Sequence, residues 1–135
     1  MSAGAGEGAR VAVVTGGSAG IGLAICEQLL ADGIEVVSLA RRPCPLEHPK
    51  LHSVECDLLD RAATGAAAQR IADRFAVTTV VHNAGVIRPA LLPEVKLDDL
   101  DVLVDLHLGC AIQLVQAALP AMRAQKPFYF YPYRH

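Results

Sequence analysis

A strand that runs directly into a glycine-rich turn and then a helix is the feature that most restricts what this chain can become. Residues 11–14, Val-Ala-Val-Val, are a continuous run of small and β-branched apolar side chains, the pattern of a strand buried on both faces. Thr15-Gly16-Gly17-Ser18-Ala19-Gly20-Ile21-Gly22 follows. Residues 21–31 then place Ile21, Ala24, Ile25, Leu29 and Leu30 on one helical stripe ahead of an Asp32-Gly33 stop. At such a junction the unpaired amides of the helix start, and the positive end of its dipole, face whatever anion the turn admits. Glycines at 16, 20 and 22, spaced Gly-x3-Gly-x-Gly, differ from the Gly-x-Gly-x-x-Gly fingerprint but serve the same tight turn and close packing. A diphosphate suits that turn; a glycine-rich turn in an unrelated α/β fold is the alternative.

Strand and helix patterns go on alternating. Residues 35–39 and 51–56 read as strands, 59–74 as an alanine-rich helix with its charges outward, and 77–81 as a fourth, β-branched strand. Short apolar strands separated by helices imply right-handed βαβ units. The expected fold is therefore α/β: a Rossmann-type doubly wound parallel sheet of about four strands, incomplete, with its ligand at the carboxyl ends. Residues 98–125 predict a long helix with a wide apolar face and a bend or early end near 116–120, where Pro120 removes a backbone bond. Within it the uncharged run 106–122 reads as a buried helix, its apolar residues too few for a membrane span. Residues 1–9 form a flexible leader, 10–125 a dinucleotide-binding domain, and 126–135 an atypical tail holding all three tyrosines and two of the three phenylalanines. Such a break in composition reads as an aromatic strand or as the product of a truncated or shifted reading frame.

Composition narrows the partners. With 53% hydrophobic and 19% charged residues in 135, the chain has material for one core. A net charge of −2 offers no basic footprint for nucleic acid or an anionic membrane. No secretory leader is visible in the first eight residues, so the expected location is cytoplasmic. Cys44, His48, His52 and Cys56 recur every fourth residue, a zinc-like composition, but Pro45 and Pro49 break any helix that would stack them, and no metal is expected. Two arginines, Arg41-Arg42, end the second strand, where a dinucleotide fold that prefers NAD carries an acid for the ribose hydroxyls. A guanidinium there pairs with a 2′-phosphate, which points to NADP(H) with NAD(H) less favoured; two solvated arginines are the alternative.

Three ordered motifs give the chain a family likeness. Thr-Gly-x3-Gly-Ile-Gly at 15–22, Cys56-Asp57-Leu58 after the third strand, and His82-Asn83-Ala84-Gly85 closing the fourth resemble the cofactor-binding first half of short-chain dehydrogenases/reductases, over residues 10–125. The resemblance implies cofactor contacts at Gly16, Ser18, Gly20, Ile21, Gly22, Arg41, Arg42, Asp57, Leu58, Asn83, Ala84 and Gly85, the Asp57 carboxylate accepting from the adenine amino group. It implies hydride transfer with a tyrosine acid/base and a lysine four residues on, yet no Tyr-x3-Lys occurs here. His107 stands where the family places an asparagine in its long helix, either as a water-linked proton relay or as a satisfied polar group. No catalytic residue is assigned. Two functions follow: an NADP-preferring oxidoreductase acting on a carbonyl or alcohol in its full-length form, or an inactive truncated fragment that binds dinucleotide or forms homo-oligomers through helix 98–125.

Overall fold

The computed structural model describes residues 9–125; the aromatic tail and nearly all of the expected leader lie outside them. Strands β1 (Val11–Thr15), β2 (Glu35–Ala40), β3 (Leu51–Glu55) and β4 (Thr79–His82) form one sheet in the order β3-β2-β1-β4. Every ladder is parallel, with Val13 opposite both Val37 and Val80. Chain order reverses between β1 and β4, so the crossovers leave the two strands in opposite directions and a crevice opens above them.

Side-chain alternation builds a core on each face. Val14 and Val36 pack with Cys26 and Leu30 of helix α1 (Gly20–Ala31). Val11, Val13, Val37 and Leu39 pack on the other face with Ala67, Ala68 and Ile71 of α2 (Arg61–Arg74) and with Leu106, Cys110, Leu114 and Ala118. Helices on both faces of a parallel sheet are the doubly wound arrangement that the alternating pattern predicts. α2 starts at Arg61 because the Asp60 side chain caps it, accepting from Ala63 N at 3.0 Å. The fourth ladder begins two residues later than the β-branched run suggests. Thr78 spends its amide and hydroxyl on the backbone of Val11 and so leads the chain into the sheet.

Helix 98–125 is where the structure corrects the sequence. Three segments run end to end: α3 (Leu97–Val104), a π turn (Asp105–Gly109) and α4 (Cys110–Ala124). The helix does not end early at 116–120: it runs past Pro120, with Ala118 and Met122 packed on the core on either side of it, and a π turn falls at 105–109. Nor is 106–122 a buried helix, since Leu108, Ile112 and Val115 are 60%, 55% and 41% exposed. By length and composition alone the 28-residue run Leu97–Ala124, which contains an 18-residue window with a mean hydropathy of 1.7, could cross a membrane. Its stripe at Leu106, Cys110, Leu114 and Ala118 packs against α2 and the sheet, which the periodicity of three and four residues accounts for.

Burial marks the thiols. All four cysteines are free and buried, and desolvation pushes Cys26 and Cys110 each from an ordinary 9.0 up to about 11. Because the folded value is raised, the stability these thiols contribute is fully present below pH 9 and is lost as pH rises toward 11. Urea unfolding should show that loss, reduced in Cys26→Ala and Cys110→Ala. Asp60→Ala should lower the unfolding free energy by about 1 kcal/mol through the lost cap, with no change in the urea slope.

Candidate functional site

The crevice above β1 and β4 is a cleft of about 600 Å³ lined by Gly16, Ser18, Ala40, Arg41, Arg42, Asp57, Leu58, Leu59, Asn83, Ala84, Gly85, Val86 and Leu106. Nine of the twelve residues expected to contact a dinucleotide are on that wall, brought from the ends of four parallel strands. The other three, Gly20, Ile21 and Gly22, open α1 beside it.

The turn between β1 and α1 is shaped by close approach. Gly16 has φ of 69°, in the left-handed region that favours glycine. At Gly22 a Cβ would collide with the Gly16 carbonyl oxygen and lie 2.6 Å from Asn83 Nδ2. Asn83 Nδ2 in turn donates to Gly16 O at 3.3 Å, tying the end of β4 to the turn. No side chain caps α1 at Ala19, no acid occupies its first turn, and Gly20 faces open space. The start of the helix is therefore free to receive an anion, with its dipole unopposed.

At the adenosine end, Arg41 and Arg42 are exposed and neither meets a carboxylate among the described residues. Asp57 accepts from Leu59 N at 3.0 Å through Oδ1, which fixes its carboxylate at the rim, while Leu58 is buried beneath. A donor set of helix amides, two guanidiniums and one oriented carboxylate matches a dinucleotide diphosphate, a ribose phosphate and an adenine amino group, so the residues present fit such a cofactor.

His107 does not line the cleft. It sits in the π turn with Nε2 3.0 Å from Val86 O and 3.3 Å from Val86 N. The four residues of zinc-like spacing are dispersed: Cys44 and Cys56 lie in cores on opposite faces of the sheet, His52 pairs with Glu35 at 2.6 Å, and His48 accepts from Lys50 N. Sequence reasoning missed Thr15 as a hub. Its buried hydroxyl lies 2.9 Å from both Asn83 N and His82 Nδ1 and 3.0 Å from Ala84 N. The only signal for it was a threonine closing an otherwise aliphatic strand.

Comparison with known proteins agrees with this geometry. The family model described as short chain dehydrogenase matches residues 10–127. The 3-oxoacyl-[acyl-carrier-protein] reductase MabA of Mycobacterium tuberculosis is 34% identical over 134 residues, 93% of this chain and 53% of that protein. A short-chain dehydrogenase from Streptomyces avermitilis superposes with a TM-score of 0.78 at 31% identity, covering 87% of this chain and 46% of the other. NADPH-bound carbonyl reductase from chicken fatty liver superposes at 0.72 with 28% identity, covering 84% and 51%. The chain spans about half the length of the relatives it matches.

Gly22→Ala should damage the turn, since the added methyl can be housed only by parting α1 from β1. An unfolding free energy lowered by roughly 2–3 kcal/mol in urea titration is expected from overpacking against backbone, and an unchanged value would show that the turn yields.

Proposed function

The chain belongs to the short-chain dehydrogenase/reductase family, and from that premise we propose that residues 10–125 are a dinucleotide-binding unit that takes NADP(H) in preference to NAD(H). The observation that carries this reading is the cleft at the reversal of strand order, which gathers the glycine turn, Arg41 and Arg42, Asp57 and the Asn83-Ala84-Gly85 corner on one wall. Gly16, Ser18, Gly20, Ile21 and Gly22 would surround the diphosphate at the start of α1. Arg41 and Arg42 would take the 2′-phosphate; Asp57 and Leu58 would hold the adenine. Ala84 and Gly85 would lie along the nicotinamide half, with Asn83 holding the turn in place. NADPH in the chicken carbonyl reductase supports the choice of cofactor.

When bound, the nicotinamide supplies or accepts hydride, so the whole protein is read as an oxidoreductase of a carbonyl/alcohol pair. This chain's own residues bind and orient the cofactor. A second reading, a module that holds dinucleotide or pairs with another copy without turnover, is favoured by the sequence itself, which contains no Tyr-x3-Lys. The exposed stripe of Leu100, Val104, Leu108, Ile112 and Val115 would be the pairing surface. Four free buried thiols support a reducing compartment such as the cytoplasm.

Titration of NADPH and NADH into the chain, followed by nicotinamide fluorescence, tests the binding unit. NADPH should bind more tightly. Arg41→Ala should weaken NADPH by about 10- to 100-fold, the worth of a charge-assisted contact, and leave NADH nearly unchanged. Equal weakening of both cofactors would remove the 2′-phosphate role from Arg41, and binding of neither would contradict the unit.

A further inference from the structure

A chain of hydrogen bonds joins the corner of the cleft to the π turn, and counting protons along it leaves one arrangement. Thr15 is fully buried at the end of β1. A threonine hydroxyl has one proton and two lone pairs. The amides of Asn83 and Ala84 can only donate, at 2.9 and 3.0 Å, and together they occupy both lone pairs. The hydroxyl proton therefore goes to His82 Nδ1, 2.9 Å away, which must be bare to accept it. The ring proton is then on Nε2, which donates to Leu106 O at 2.8 Å. That bonding pattern is met by a single tautomer of His82.

Leu106 O lies inside the wide turn. In an α-helix its partner would be the amide of Cys110, but here that amide reaches back five residues to Asp105 O. The imidazole of His82 thus gives the wide turn a side-chain tie to the end of β4. One residue on, His107 Nε2 lies within reach of both Val86 O and Val86 N. A single neutral nitrogen can donate to the first or accept from the second, not both, so His107 is adaptable where His82 is committed. The fit is close: a Cβ at Gly85 would stand 2.8 Å from His107 Cε1. Gly85, Val86 and Leu106 all line the cleft.

We propose that His82 is a positioning residue: it carries the orientation of the Thr15 hydroxyl to Leu106 O and so holds the π turn, and His107 on it, against the corner of the cleft. Its bearing on cofactor binding rests on the dinucleotide reading above; the chain of bonds does not.

The test uses the whole 135-residue chain. Imidazole ¹⁵N shifts should report His82 as the Nε2–H tautomer, and amide exchange should be slow at Asn83 and Ala84 and across the π turn. His82→Gln offers one acceptor and one donor at a comparable separation, whereas His82→Leu offers neither. The Gln variant should bind NADPH within about threefold of the parent. The Leu variant should bind about tenfold more weakly or worse, as expected when buried polar groups lose their partners. In the parent, NADPH should slow exchange in the π turn; in the Leu variant the slowing should stay within the glycine turn, an uncoupling that lost stability alone does not produce. A charged or Nδ1–H His82, or a Leu variant whose π turn still responds to NADPH, would overturn the proposal. Should the parent bind no NADPH, the cofactor reading fails, and the tautomer with the Gln and Leu exchange rates still decides the role of His82. Should the Leu variant not fold, the tautomer and the rescue by Gln decide it.

Discussion

The approach of Gly22 to the carbonyl of Gly16 is the constraint on which the rest of this molecule depends. Only with no side chain between them can α1 start directly beyond the end of β1, which sets its first residues beside the crevice between β1 and β4. Asn83 Nδ2, which donates to Gly16 O, would be displaced by the same missing methyl. Strand end, helix start and the corner after β4 are thus packed as one unit, which leaves the start of α1 without a side-chain cap beside the cleft.

Most of the fold was legible because its signals are local. β-branched runs marked the strands to within two residues, and the spacing of glycines located the turn and hence the cleft. What stayed hidden depends on partners far apart in the chain. The tautomer of His82 is set by Thr15, 67 positions away, and by Leu106, 24 positions away. The π turn at Asp105–Gly109 carries no proline or paired glycine to announce it. Pro120, which did carry a signal, does not end the helix, whose face around it is pinned to the core. Local propensity yielded to packing there, as it commonly does.

The same packing leaves apolar surface unclaimed. β4 is an edge strand among the described residues, with one side of its backbone unpaired, and α3, the π turn and α4 turn Leu100, Val104, Leu108 and Ile112 outward. Exposed edges and contiguous apolar stripes are both costly in water and open to further pairing. The cleft is less affected, because its wall is built from the glycine turn and the ends of the strands rather than from the open flank of α4.

The central claim, that the cleft is a dinucleotide site whose Arg41 side receives a ribose phosphate, is tested most directly by ³¹P resonance of NADP⁺ in the presence of the chain. Shifts and broadening of both the diphosphate and the 2′-phosphate signals, with the 2′-phosphate response lost in Arg41→Ala, are the predicted result. Diphosphate signals that stay sharp and unmoved at chain concentrations well above the expected affinity would contradict the account.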